Sequence, residues 1–150
     1  MQEPGYAGLV DERYPIGETQ SIAVAVLRHA EGEGYRCWSA SVGRRGGEGT
    51  VLVPGQYPSV LANRLRAADA RFAPGARLGR DEYLDLTALV RDGEESLALS
   101  SSARSPARVT LEVPREELLL LSRLLDSAQQ LIEELRQGIG LVPDAIPERF

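Results

Sequence analysis

Residues 50–72 read TVLVPGQYPSVLANRLRAADARF, and residues 110–132 read TLEVPREELLLLSRLLDSAQQLI. A shift of sixty residues aligns the two stretches without a gap. The matched apolar positions in the second part of each stretch keep the i, i+4, i+7, i+11 spacing of one helical face. The sequence therefore predicts two copies of a unit in which a strand, a proline and an amphipathic helix follow one another. The matched pairs are Thr50 with Thr110, Val53 with Val113, Pro54 with Pro114, Leu61 with Leu121, Leu65 with Leu125, Ala68 with Ala128 and Phe72 with Ile132.

Further strands are predicted on the N-terminal side of each copy. Ile22, Val24 and Val26 alternate with smaller residues, as they do in a half-buried strand. In the second copy, Asp92-Gly93 is typical of a tight hairpin turn. The predicted strands are 21–28, 35–42 and 50–53 in the first copy and 83–90, 96–102 and 108–113 in the second. The predicted helices are 58–72 and 115–137.

This order predicts an α+β fold of two β-β-β(-β)-α repeats, whose antiparallel sheets are each backed by an amphipathic helix. The chain of 150 residues is long enough for one domain with a sizeable core. We expect that domain to span residues 20–137, with repeats at 20–77 and 80–137. Prolines and glycines in residues 1–19 predict an irregular N-terminal segment, and residues 138–150 form a predicted C-terminal tail.

The composition excludes several classes of protein. No run approaches the roughly 18 apolar residues of a membrane span, and the N-terminus lacks the pattern of a signal peptide. Together with the lone Cys37, this predicts a cytoplasmic protein. One cysteine and one histidine, His29, are too few for a zinc site. No nucleophile motif is present, so we expect neither an enzyme nor a bound cofactor or metal.

The charges are divided unequally between the two copies, although the whole chain carries −5. Residues 20–80 contain nine arginines against four acids, a formal charge of +5. Residues 81–136 contain six arginines against twelve acids, a formal charge of −6. All 17 basic residues are arginine. A GC-rich genome would explain this, and so would a functional preference for guanidinium over ammonium groups.

The predicted helix over 115–137 is more apolar than a helix covering one sheet requires. Its first stripe runs through Leu121 and Leu125, and Leu120, Leu124 and Leu131 form a second stripe beside it. The second stripe needs a partner of its own. Either the other repeat or a second subunit supplies that partner, and the latter would make the protein a homodimer through this helix.

Two stretches of the second copy resemble the PUR repeat of the Pur-alpha family. They are EYLDLTALVRDGEESLALSSS at 82–102 and RVTLEVPREELLLLSRLLDSAQQLIEEL at 108–135. The strand-strand-strand-proline-helix order is also similar to the Whirly and PC4-like single-stranded DNA-binding fold. The resemblance covers about residues 20–137. It implies binding of single-stranded DNA or RNA across an exposed sheet face and its hairpin loops.

Single-strand binding requires cationic side chains for the phosphates and flat side chains on which bases stack. In the basic first repeat, Tyr35 and Trp38 are the candidates for stacking, although they face opposite ways in a regular strand. The alternative for Trp38 is that it packs under the helix while Arg36 reaches solvent at the edge. The loop GRRGGEG at 43–49 is either a flexible connector or a carrier of two arginines beside the sheet. The candidate phosphate contacts are Arg28, Arg36, Arg44 and Arg45 in the first repeat and Arg91, Arg104 and Arg108 in the second.

Of two functions, the resemblance and the basic first repeat predict the first, and the second is its alternative. The first is sequence-tolerant binding of single-stranded DNA or RNA on the sheet face of the first repeat. The second is a protein-interaction or scaffolding module of the same fold that does not bind nucleic acid. The acidic second repeat, the absence of lysine and the apolar last helix favour the second function.

Overall fold

The computed structural model describes residues 10–30, 36–47, 49–80, 83–101 and 109–137. Each repeat consists of four strands followed by one helix, which confirms the predicted α+β class. The elements of the first repeat are β1 (Val10–Glu18), β2 (Ile22–Ala30), β3 (Arg36–Arg44), β4 (Thr50–Pro54) and α1 (Pro58–Ala70). Those of the second are β5 (Arg77–Arg80), β6 (Leu84–Arg91), β7 (Glu94–Ser101), β8 (Thr110–Pro114) and α2 (Leu118–Gln137), with a 3-10 turn at Arg115–Glu117 before α2.

Both sheets are antiparallel meanders. The first has the strand order β1-β2-β3-β4 and the second the order β5-β6-β7-β8. Val26 pairs with Ala40, and Ala40 pairs with Val53, so these three residues share one face of the first sheet. Leu86, Leu99 and Leu111 are aligned in the same way in the second sheet. These two faces are buried and form the core together with the helices.

The first strand of each sheet was not predicted from the sequence. The prediction that residues 1–19 are irregular is wrong for residues 10–18, which form β1 and pair with β2. Residues 1–9 and the predicted tail at 138–150 lie outside the described residues. Strand β5 starts at Arg77, so the second repeat begins three residues before the predicted boundary at residue 80. Each sheet therefore has four strands.

The helix that covers the first sheet comes from the second repeat. Helix α2 packs on β1, β2 and β3, whereas α1 packs on α2 and contacts β5 of the second sheet. The approach of α2 to β1 is close, since a Cβ atom added to Gly17 would lie 2.7 Å from Cδ2 of Leu124. The two repeats are thus interlocked, and we expect neither to keep its core without the other.

Equivalent positions in the two repeats make these crossing contacts. Tyr57, three residues after the proline of β4, packs edge-on against Tyr83 before β6, with ring centroids 5.1 Å apart. Glu117, three residues after the proline of β8, is buried and accepts hydrogen bonds from Ser21 N (3.0 Å), Ser21 Oγ (2.8 Å) and Thr19 Oγ1. Each repeat therefore contacts the other just before its second strand.

The second apolar stripe of α2 is partly covered by the protein itself. Leu124 and Leu131 are half-buried and pack against the core, and Leu124 lies on Gly17. Leu119 and Leu120, on the first turn of α2, remain 50% and 38% exposed. The other repeat therefore supplies a partner for most of this stripe, and an exposed pair of leucines is left at its N-terminal end.

Candidate nucleic-acid interface

Trp38 lies in the core. It is 7% exposed, and its ring centroid is 6.2 Å from that of the half-buried Tyr14. In the register of the first sheet, Trp38 stands on the same face as Ala40 and Val42, the face on which the core is built. The structure therefore has the alternative arrangement, in which Trp38 packs inward, and its ring offers no open surface on which a base could stack.

Arg28 is the strand neighbour of Trp38 and lies on the same face. Its side chain is 16% exposed, and Nη2 is 3.7 Å from Oε2 of Glu12 on β1. A guanidinium that is mostly covered and lies beside a carboxylate is poorly placed to hold a phosphate, because the phosphate would have to compete with that carboxylate.

The hairpin between β3 and β4 holds the two arginines of the GRRGGEG loop in different ways. Arg45 donates from Nη1 to the backbone oxygens of Gln20 (3.2 Å) and Thr19 (3.4 Å), and its Nε is 3.3 Å from Oε1 of Glu18. It therefore joins this hairpin to the β1–β2 turn. Arg44 is exposed and forms no ion pair within the described part of the chain.

The candidates of the second repeat are only partly described. Arg91 lies at the end of β6, on the face of the second sheet turned away from the core, and its Nη2 is 3.0 Å from Oε2 of Glu112. Tyr35, Arg104 and Arg108 lie outside the described residues, as does the side chain of Arg36. The roles assigned to these four remain predictions.

The outer face of the first sheet, turned away from α2, is the surface on which nucleic acid was expected to lie. The middle of this face consists of apolar and uncharged polar side chains and is buried. Nε2 of His29 is 2.8 Å from Oγ of Ser39 on the neighbouring strand. Arg13, on the edge strand β1, is exposed on this face, and the sequence reasoning did not single it out. The buried residues are Ala25, Leu27, His29, Ser39 and Ser41.

The outer face of the second sheet is more polar, and two of its arginines lie beside carboxylates of the same face. Nε of Arg77 lies 3.5 Å from Oδ1 of Asp85, and Arg91 is bonded to Glu112 as described above. Oγ of Ser100 is 3.1 Å from Oγ1 of Thr110. Within the described residues, neither outer face carries a row of unpaired arginines of the kind that a nucleic-acid backbone requires.

A polar groove between the two repeats was not predicted. It has a volume of about 390 Å³ and lies between the start of α1 and the surface of α2. Gln129 of α2 reaches across its base, where Nε2 donates to Gly55 O at 2.8 Å and Oε1 accepts from Ser59 N at 3.1 Å. The sixty-residue alignment pairs Gly55 with Arg115. The first repeat therefore has no side chain at the position where the second repeat has an arginine.

Arg115 is the sixty-residue counterpart of Gly55 in the second repeat. It binds Glu95 and Asp69, and its guanidinium carbon lies 4.6 Å from the ring centroid of Phe72. The hydrogen bonds to Glu95 and then to Asp69 raise the pKa of Arg115 above its ordinary value, because both carboxylates favour the charged guanidinium. This arginine joins β7, the end of α1 and the start of α2.

Two further features are absent from the residues that the structure describes. These residues contain no cluster of three or more His, Cys, Asp or Glu side chains placed to hold a metal ion. Within the same ranges, neither helix combines the length and the apolar character needed to cross a membrane.

Comparison of the sequence with protein-family models and with curated proteins found no match in either case. The resemblance to PUR repeats and to the Whirly-like fold therefore remains a prediction.

Proposed function

We propose that this chain is a protein-interaction module with a duplicated, interlocked α+β fold. The main support for the proposal is that most of the described residues predicted to bind nucleic acid are buried or lie beside carboxylates. Its tryptophan is in the core, and Arg28, Arg45 and Arg91 each lie beside a carboxylate of the same chain. A site of this kind is better suited to holding the fold together than to holding a polyanion.

The free energy expected for binding of single-stranded nucleic acid also favours the protein-interaction proposal. Binding of single-stranded nucleic acid without sequence preference combines exposed cationic groups with aromatic stacking that contributes about 1–3 kcal/mol per base. Here the stacking contribution of Trp38 is lost through its burial. At Arg45 and Arg91 a phosphate would compete with Glu18 or Glu112 for the guanidinium, which reduces the gain from the new contact.

The exposed leucines of α2 support contact with another protein. Leu119 and Leu120 are neighbours on its first turn, and Val60 is exposed at the equivalent turn of α1. Exposed aliphatic side chains at the ends of two packed helices are suitable contacts for a partner or for a second copy of the chain. In the second case the protein would be the homodimer expected from the sequence of the last helix.

Single-stranded DNA or RNA binding is the second candidate, favoured by one observation. Arg44, on the β3–β4 hairpin, is exposed and has no carboxylate partner in the described part of the chain. Arg13 on β1 is exposed as well. Nucleic acid bound at these positions would contact hairpin and edge residues, with the sheet face itself contributing little.

A salt-dependent titration separates the two candidates. A labelled single-stranded oligonucleotide is titrated with the full chain at about 50 mM and about 200 mM salt, a range over which binding through several arginines weakens by orders of magnitude. The protein-interaction proposal predicts no saturable binding at either salt concentration. Saturable binding at low salt that is lost at high salt would establish the second candidate instead.

A further inference from the structure

The start of α2 presents to solvent a short stripe that is apolar in the middle and charged at both ends. Leu119 and Leu120 form the middle and are 50% and 38% exposed. Glu116, on the 3-10 turn before α2, precedes the two leucines, and Arg123 follows them on the helix. Both charged side chains are exposed. Because the four residues are spaced by three and four positions, they lie on one face of the helix.

The two charges of this stripe have no partner within the described part of the chain. Glu116 and Arg123 form no ion pair there, although Arg115, the neighbour of Glu116, binds two carboxylates. Seven residues separate the two charges, which corresponds to about 10 Å along a helix. Both charges are therefore available to another molecule.

The duplicated fold does not require leucines or charges at these positions. The sixty-residue counterparts, in and just before α1, are Gln56, Ser59, Val60 and Asn63. The first repeat thus forms the same elements with uncharged and mainly polar side chains at the same places. An exposed apolar pair that the other repeat does without indicates a contact outside the chain.

The order of the four side chains makes the stripe complementary to itself. If two copies of α2 cross antiparallel, with a two-fold axis at the centre of the leucine pair, Glu116 of each copy lies opposite Arg123 of the other. The same axis places Leu119 of one copy against Leu120 of the other. Two ion pairs then lie on either side of one apolar contact. A parallel arrangement would instead bring like charges together, which is unfavourable.

We propose that this stripe binds the same stripe of a second copy, so that the protein forms a homodimer through antiparallel α2 helices. The inference rests on the proposed protein-interaction function and names the partner. A contact along about two turns of one helix is small, and total buried areas below about 1,200 Å² are typical of transient complexes. We therefore expect a dissociation constant on the order of 100 μM, so that dilute protein is monomeric.

Sedimentation equilibrium of the full chain tests this proposal. The protein is studied from about 10 μM to about 1 mM in about 150 mM salt, which screens the repulsion between two chains of charge −5 beyond about 8 Å. The weight-average mass should rise from that of one copy towards that of two. Leu119→Ala combined with Leu120→Ala should weaken the association by about thirty-fold or more, because four leucines of the dimer are truncated.

Reversal of the charges tests the antiparallel geometry. Glu116→Arg leaves two arginines on the stripe and Arg123→Glu leaves two acids, so each variant alone should associate about ten-fold more weakly, or worse. An equimolar mixture of the two variants should associate about as well as the native chain, because unlike charges again meet between the copies. Glu94→Arg makes the same charge change as Glu116→Arg at an exposed position of β7, and this matched control should associate like the native chain.

Three results would overturn the inference. They are a native chain that stays monomeric up to about 1 mM, a double leucine variant that associates like the native chain, and a mixture of charge variants that associates no better than either alone. The circular dichroism spectrum shows whether each variant is folded. Failure of the proposed function would be seen elsewhere, as salt-dependent binding of the oligonucleotide. If the chain neither dimerises nor binds the oligonucleotide, the dimer inference fails while the protein-interaction proposal stands.

Discussion

Nη2 of Arg66 lies 2.9 Å from Oδ2 of Asp126, and these two residues are exactly sixty positions apart, at the same place in the two repeats. A contact between equivalent residues is expected where a pseudo-two-fold axis relates two repeats. The same axis maps the contact of Gln129 with Gly55 onto that of Asp69 with Arg115. The chain is therefore folded as a pseudo-dimer of its own repeats, with opposite charges meeting at the axis.

Reversing one charge of this pair should destabilise the protein, and reversing both should restore most of the loss. Arg66→Asp places two acids at the axis, and Asp126→Arg places two arginines there. Because the two side chains are 39% and 42% exposed, the coupling free energy should be only about 0.5–1 kcal/mol. Urea unfolding of the two single variants and the double variant gives this coupling. Purely additive effects would show that the pair contributes nothing to the association of the repeats.

Trp38→Ala should lower the free energy of unfolding by about 3–5 kcal/mol, because it removes a large ring from the core. Arg44→Ala is the matched control on the same strand and should change stability by less than about 0.5 kcal/mol, since Arg44 is exposed. Urea unfolding followed by circular dichroism measures both. A loss below about 1 kcal/mol for Trp38→Ala would mean that the ring is not packed as described.

Gly55→Ala should cost about 1–3 kcal/mol, because the new methyl group would lie 2.8 Å from the backbone oxygen of Trp38. The control is Gly47→Ala, whose Cβ would come no closer than 3.4 Å to the flexible side chain of Arg44. Thermal unfolding of the two variants should therefore differ clearly. Equal melting temperatures would show that the β4–α1 segment does not approach β3 this closely.

Glu117→Ala should cost about 1–3 kcal/mol, because Ser21 N would lose its acceptor in a partly buried setting. Its neighbour Glu116 is exposed, so Glu116→Ala should be close to neutral. Glu117→Gln, which keeps one acceptor oxygen, should fall between the two. Urea unfolding provides the comparison, and equal effects of Glu116→Ala and Glu117→Ala would contradict the link between the 3-10 turn before α2 and the β1–β2 turn.

The helical core positions could be predicted from the sequence, because their spacing is a property of the helix itself. Leu61, Leu65, Leu121, Leu125 and Ile132 are all fully buried. Strand β1 could not be predicted, because Pro15 and Gly17 are typical of irregular segments. An edge strand tolerates both, and the pairing with β2 shifts register between these two residues.

That missed strand also explains why the carboxylates beside two of the candidate arginines were not predicted. Glu12 and Glu18, the carboxylates beside Arg28 and Arg45, both belong to β1. If residues 1–19 are taken as an irregular segment outside the fold, the first repeat has a net positive charge and its arginines have no predicted carboxylate partners. The packing of α2 on the first sheet is likewise a long-range property, and it decides that Trp38 faces the core.

The sole tryptophan of the chain allows the most direct test of the central claim, that the predicted stacking residue of the first repeat belongs to the core and not to a nucleic-acid site. Trp38 fluorescence is recorded in the full chain at about 50 mM salt while an unlabelled single-stranded oligonucleotide is added, the condition that most favours binding through arginines. The account predicts a blue-shifted emission that neither moves nor is quenched as the oligonucleotide is added. Saturable quenching of Trp38 by the oligonucleotide would contradict it.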